Sequence, residues 1–170
     1  MQKAGSFEKV SFEQFAGAMK GEFGIGETEA KMMHDLIDLP MRATKGSAGY
    51  DFKSSVTVKL SPGASVKIPT GIRVKIDDGW WLCCAPRSGL GCNTICSWTT
   101  PSALLTATTA TPTTRGTSTP RLPTPASKQG KGLSIGAGDR FMQTIFIPYG
   151  ITYSDAAEGV RNGGWGSTGV

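Results

Sequence analysis

From Asp51 onward, apolar residues recur at every second position. Val56, Val58 and Leu60 alternate with polar residues, "SPGAS" turns the chain, and Val66 and Ile68 resume the pattern. Ile72, Val74 and Ile76 alternate again before the turn "DDG", and "WWLCCAP" makes the next strand. A period of two sends one set of side chains to a core and the other to water. These segments are therefore predicted to be half-buried antiparallel strands joined by tight turns. Farther along, "GAGD" turns the chain and "RFMQTIFIPYGITYS" supplies strand residues. Residues 1–36 read as helical. Ser11 followed by Gln14 fits a capping box, Phe12, Phe15 and Met19 recur at helical spacing, and Glu27–Leu36 gives a second short helix. Their apolar residues are expected to pack on the domain. The closing "RNGGWGSTGV" is too rich in Gly, Ser and Thr for a core strand.

The chain has 170 residues, enough for one domain with a real core. Its 23 Gly and 10 Pro favour many short elements joined by turns, which strengthens the β-rich reading. No apolar run approaches the ~18 residues needed to span a membrane, and the N-terminus lacks a basic-then-apolar signal pattern. A cytoplasmic protein without a membrane partner is expected. Cys83 and Cys84 are adjacent, so in a strand they point to opposite faces and do not suggest a disulfide framework. Cys92 and Cys96 fall beside an unusual segment. His34 is the single histidine, which argues against a His-based zinc site or catalytic triad; it is expected on a helix surface.

The net charge of +5 invites a nucleic-acid reading. The window Cys92–Ser127 weakens it, because this stretch contains Arg115 and Arg121 and no Asp or Glu. Much of it, "TATTATPTTRGTSTPRLPTP", is Thr/Pro-rich and unlike the strands on either side. Outside the window the charges are mixed, and no nucleic-acid partner is expected.

Four short motifs carry candidate chemistry. In Ala48-Gly49-Tyr50-Asp51, a carboxylate leaves a Gly-bearing turn at a strand start, where it can hold a metal-bound water. In Pro86-Arg87-Ser88-Gly89-Leu90-Gly91, a guanidinium and a hydroxyl stand beside backbone made accessible by Gly, which suits phosphate oxygens. Gly136-Ala137-Gly138-Asp139-Arg140-Phe141-Met142-Gln143 combines a turn with an acid, a base and an amide; alone it reads equally as a hairpin turn with an Asp–Arg surface pair. In Arg161-Asn162-Gly163-Gly164-Trp165-Gly166-Ser167-Thr168-Gly169, flexible glycines, an Arg, two hydroxyls and one aromatic would let a mobile tail wrap a triphosphate and stack on a base.

In this order and spacing, the four resemble motifs one, two, four and five of the trimeric dUTPases (dUTP diphosphatases). The resemblance covers Leu39–Leu90 and Gly136–Gly169. It implies a mainly β fold, the dUTPase-type distorted jelly-roll β-barrel, here with an N-terminal helical extension over 1–38, a barrel over 39–158 and a mobile closing tail over 159–170. It implies a homotrimer whose active sites draw on more than one subunit, and hydrolysis of dUTP to dUMP and pyrophosphate by Mg²⁺-assisted attack of water on the α-phosphorus. By the same resemblance, Asp51, Arg87 and Arg140 are the catalytic residues, with Asp51 supporting Mg²⁺ through water. Ser88 and Gly89 would hold phosphate oxygens, while Asp139 and Gln143 brace the site and contact the nucleotide. Arg161, Gly166, Ser167 and Thr168 would close on the phosphates, and Trp165, where the family usually has Phe, would stack on uracil. The alternatives are an inactive nucleotide-binding module on the same fold and a relative of the dCTP deaminases, against which the C-terminal tail speaks.

The family's third motif, which reads uracil, excludes ribose and supplies the water-activating Asp, is missing. The Thr/Pro segment occupies its place. That segment decodes as the family's sequence read one base out of frame over about residues 92–127. Trp98 requires TGG, so the underlying codon ends in TG and the next starts with G; Thr99, ACN, then makes that next codon GAC, an Asp. Continuing from Thr100 to Thr109 permits Asn-Thr-Val-Gly-Ile-Ile-Asp-Ser-Asp-Tyr, with the missing Asp at the place of Thr106 and the Tyr at that of Thr109. Codons ending in AC become Thr and those ending in CC become Pro, which explains both the composition and the lost acids. A true inserted linker is the competing account.

Overall fold

The computed structural model describes residues 2–61, 64–87, 103–106, 121–123 and 132–158. Ser88, Gly89, Cys92, Cys96, Arg161, Trp165, Gly166, Ser167 and Thr168 lie outside the described residues, as do most of the Thr/Pro segment and the whole C-terminal tail.

Across residues 51–86 and from Arg140 the strands form where the period of two predicts them, and further strands form outside those stretches. In chain order they are β1 (Gly5–Lys9), β2 (Met41–Arg42), β3 (Tyr50–Lys53), β4 (Val58–Leu60), β5 (Ser65–Lys67), β6 (Ile72–Ile76), β7 (Trp80–Pro86), β8 (Ala103–Thr106), β9 (Arg121–Pro123), β10 (Leu133–Ile135) and β11 (Arg140–Pro148). Between β1 and β2 lie two helices, α1 (Phe12–Phe23) and α2 (Glu27–Asp35). The largest sheet has the order β2-β3-β11-β7-β8, and β1-β6, β10-β4 and β5-β9 form two-stranded sheets. Every pairing is antiparallel.

The expectation of helix from the first residue is corrected. Residues 5–9 are a strand, with Gly5 opposite Ile76 and Lys9 opposite Ile72. Phe7 is the reason this strand docks. Its ring lies 5.1 Å from Tyr50, 5.6 Å from Phe52 and 5.7 Å from Phe146. Glu8 reinforces the pairing across the exposed face, with Oε1 on Lys75 at 2.6 Å and Oε2 on Arg73 at 2.7 Å. Those two cations hold its carboxyl below the usual range.

α1 starts as predicted. The Ser11 hydroxyl accepts from the Gln14 amide at 3.3 Å, and Gly24 ends the helix in the left-handed region. Phe15, Met19 and Ala30 are fully buried in the same core as Phe52, Ile68, Leu82 and Phe141. The close approach is possible at Gly71, which has φ +68°, and where a Cβ would stand 2.3 Å from Ile37 Cδ1 and 3.0 Å from the Phe15 ring. His34 is likewise corrected. It is half-buried between the helices, its Nε2 lies 2.9 Å from the Val10 carbonyl, and its ring packs on Phe12 and Phe15. Burial also separates the adjacent cysteines as expected: Cys84 is in the core and Cys83 is partly exposed. β11 ends at Pro148, short of the predicted run through Ser154, and Ile151 and Tyr153 are exposed.

Two pieces of the Thr/Pro segment pair by backbone. In β8, Thr106 lies opposite Trp81 and Ala103 opposite Cys84; in β9, Pro123 lies opposite Ser65.

Candidate active site

β11 is the central strand of the large sheet, and that position assembles the site. Gln143 faces Asp51 on one neighbour and Ala85 on the other. The end of β7, the start of β11 and the middle of β3 therefore converge, although they are distant in sequence. Arg87, just past β7, donates its amide to the Phe141 carbonyl at 3.1 Å, which anchors the beginning of motif two against motif four.

The Asp51 side chain is 7% exposed and sits between two guanidinium groups. Arg140 Nη1 donates to Oδ2 at 3.3 Å. Arg87 Nε stands 3.3 Å from Oδ1. That second contact has ion-pair distance without hydrogen-bond alignment, and Oδ1 accepts no hydrogen bond. A buried, unsatisfied carboxylate oxygen costs free energy and marks a place where a further donor fits. Both arginines remain partly exposed, at 38% and 48%. They keep N–H groups free to face a cavity of about 410 Å³ lined by Arg87, Ser134, Ile135, Gly138, Asp139 and Arg140. A second cavity, of about 420 Å³, flanks Asp51 and Arg140 on the side of Asp38, Met41, Arg42 and Lys53. Lys53 binds Asp38 at 2.6 Å and holds the Asp38 carboxyl below its usual range.

Asp139 and Arg140 do not form the surface pair that a plain turn would give. Asp139 Oδ2 accepts from the Gly136 amide at 2.7 Å and closes the "GAGD" turn, while Arg140 turns to Asp51. The turn is locked to β3 by Ser54, whose amide donates to the Asp139 carbonyl at 2.9 Å and whose carbonyl accepts from Gly138 at 2.8 Å. Gln143 packs against Gly49, where a Cβ would lie 2.3 Å from its side-chain carbon, so any side chain there would push Gln143 out of its present place between motifs one and four. Sequence reasoning missed Arg42, Ser54 and Lys53, whose partners are backbone groups or a distant carboxylate. Cys84 lies in the core on β7; burial, followed by the neighbouring Cys83, pushes its thiol up to about 12, so it is no nucleophile. Among the described residues, no three His, Cys, Asp or Glu side chains cluster to bind a metal directly. No helix among them is long and apolar enough to cross a membrane.

Residues 35–109 match the sequence profile of the dUTPase family, a match that ends inside the Thr/Pro segment. The deoxyuridine 5'-triphosphate nucleotidohydrolase of Chlamydia felis is 39% identical over 56 residues, covering 32% of this chain and 38% of that protein. The enzyme of the same name from Shewanella baltica is 46% identical over 56 residues, covering 31% and 37%. The chain thus spans well under half the length of these relatives. In structure it resembles the dUTPase of Streptococcus mutans, with a TM-score of 0.60 and 20% identity over 86% of this chain and 98% of that one. It also resembles a mutant dUTPase of Staphylococcus bacteriophage 80alpha, with a TM-score of 0.62 and 17% identity over 94% and 92%. A mutant dUTPase from phage phi11 of S. aureus, whose structure details the coordination of a structural Mg(II) ion, is similar as well, with a TM-score of 0.57 and 21% identity over 72% of this chain and 90% of that one. The curated relatives and solved structures that this chain resembles are dUTPases, and its mainly β, jelly-roll-like fold resembles theirs.

Proposed function

We propose that the chain is a dUTP diphosphatase, hydrolysing dUTP to dUMP and pyrophosphate in the cytoplasm. The observation that carries this reading is the buried Asp51 held between Arg87 and Arg140 beside an open cavity. Arg87 and Arg140 present fixed positive charge to the phosphate oxygens, and Ser88, Gly89, Arg161, Gly166, Ser167 and Thr168 complete the phosphate grip. Gln143 and Asp139 brace the floor, and Trp165 covers the base. Asp51 suits a Mg²⁺ held through water, because Oδ1 has no hydrogen-bond donor and would accept one from a bound water. Mg²⁺, when bound, neutralises triphosphate charge and orients the α-phosphate.

The water-activating group is the missing part. Asp139 lines the cavity, but the Gly136 amide already occupies its Oδ2. Position 106, where the restored reading frame puts an Asp, lies opposite Trp81, near the far end of β7 from Arg87. Strand rise and spacing put its backbone roughly 20 Å from Asp51. The carboxylate would therefore reach an Asp51 site on another copy, which supports a homotrimer with shared sites.

The test is to express the chain as written and a frame-restored chain, and to measure pyrophosphate release from dUTP with Mg²⁺. The restored chain should turn over; the literal chain should be slower by about 10²–10⁴-fold, the usual effect of losing a general base. Comparable turnover by both would overturn the assignment. Binding of a non-hydrolysable dUTP analogue without turnover by either would support the binding-module reading. Accurate sequencing of the DNA encoding residues 90–129 should show one-base slips near Gly91 and Lys128; an intact frame would favour a true insert.

A further inference from the structure

We propose that Arg42 is a positioning residue for Asp51, a role that rests on the dUTPase reading for its consequence but not for its geometry. β2 has only two residues, and they pair with the strand that carries the carboxylate: Met41 lies opposite Asp51 and Arg42 opposite Tyr50. So short a ladder cannot hold itself against fraying. The connection it closes, residues 43–49, reads "ATKGSAG", with two glycines and no large apolar side chain to anchor it. Arg42 supplies the anchor. One guanidinium nitrogen, Nη1, donates to the Lys45 carbonyl at 3.1 Å and to the Ser47 carbonyl at 3.0 Å. Within the loop, the Ser47 amide donates to the Thr44 carbonyl at 3.2 Å, and the two hydroxyls meet at 2.8 Å. The side chain thus spans the mouth of the loop that delivers Gly49, Tyr50 and Asp51.

The consequence follows from where the loop ends. Gly49 packs against the Gln143 side chain on β11 and the next residue opens β3, so a shift of the loop pulls on the start of that strand. Asp51 is two residues on, held by a single hydrogen bond from Arg140 and an unaligned contact with Arg87. Its remaining orientation comes from the backbone on either side: β11 on one edge and the Arg42-clamped β2 on the other. Arg42 makes no contact with Asp51 and acts through this backbone. A displacement of about 1 Å at a site of this kind costs roughly 10²-fold in rate.

Full-length chains carrying Arg42→Ala and Arg42→Lys test the proposal. Amide hydrogen exchange needs no ligand. Arg42→Ala should speed exchange across residues 43–51 by about tenfold or more and leave the β1–β6 and β7–β11 amides unchanged; Arg42→Lys, which retains donors, should fall between. Unchanged exchange at 43–51 would overturn the clamp, and uniform acceleration everywhere would reduce it to general stability. A double-mutant cycle then reads the route. Arg42→Ala should weaken Mg²⁺-dependent binding of a non-hydrolysable dUTP analogue about tenfold, and should have no further effect in the presence of Asp51→Asn. Equal losses in both backgrounds would show that Arg42 does not work through Asp51. If the parent chain fails to bind the analogue, the dUTPase reading falls, and the exchange result still decides the clamp.

Discussion

Asp51→Asn separates a structural from a functional role for the buried carboxylate. Two unit charges 3.3 Å apart attract by about 5 kcal/mol at an effective dielectric of 20. That is an upper value for each arginine, because both are more than a third exposed; solvent screening reduces such pairs to about 1 kcal/mol or less. On the other side stands the desolvation of the carboxylate, several kcal/mol for a buried ion, with Oδ1 left without a hydrogen bond. Two such pairs return no more than about 2 kcal/mol, and a buried Asn amide carries a desolvation cost of its own, so exchanging the carboxylate for the amide is close to even. Released from Asp51, Arg87 and Arg140 can hydrate where they stand. Asp51→Asn should therefore change the unfolding free energy by under about 1 kcal/mol in urea titration. Binding should respond quite differently. If Asp51 orients metal-bound water, its loss should weaken Mg²⁺ and Mg²⁺-dependent analogue binding by roughly 10–100-fold, the usual cost of removing an outer-shell partner. Isothermal titration with and without Mg²⁺ reads this directly. Destabilisation of 3 kcal/mol or more with unchanged affinity would refute the reasoning and make Asp51 a structural ion-pair partner.

Other predictions concern the packing. Gly71→Ala forces a side chain into the left-handed region and against Ile37 Cδ1; a loss of about 2–4 kcal/mol is expected in urea unfolding, and a neutral outcome would mean that the helices do not pack there. Thr144 is fully buried with a hydroxyl that makes no hydrogen bond, so Thr144→Val should be neutral or raise stability by up to about 1 kcal/mol, whereas a clear loss would reveal a partner. The Cys84 thiol, pushed up to about 12, stays protonated through pH 8; iodoacetamide should spare it in the folded chain and label it in urea, and rapid labelling of the native protein would contradict its burial.

The alternating strands were legible because each needs only its own two-residue period. β7 coincides with the predicted "WWLCCAP", and α1 begins at the predicted Ser11 cap. β1 was not legible. Phe7 is its one large apolar residue, so it shows no alternation, and its partner β6 lies far along the chain. His34 was misplaced for the same reason, since its partner is the carbonyl of Val10 on another segment. In the site, Asp51, Arg87 and Arg140 were readable as motif residues, and the structure brings all three together. The turn-closing bond of Asp139 was not readable, because a carboxylate that closes its own turn looks in sequence like one that faces a ligand. Arg42 left no sequence signal, since carbonyl acceptors are present in every residue.

The order of the large sheet sets a schedule for synthesis on the ribosome. The two strands that flank its centre, β3 and β7, are made early, but β11, which separates and joins them, is completed only at Pro148. Until then, β3 and the apolar β7 each wait with an unpaired edge, a state open to association with other chains. The nascent protein thus depends for its closure on one of its last-made strands. Any event that ends translation before that strand leaves β3 and β7 without the partner that joins them. A polypeptide whose message is misread across its middle can still close this sheet, provided the reading frame is correct again by Arg140.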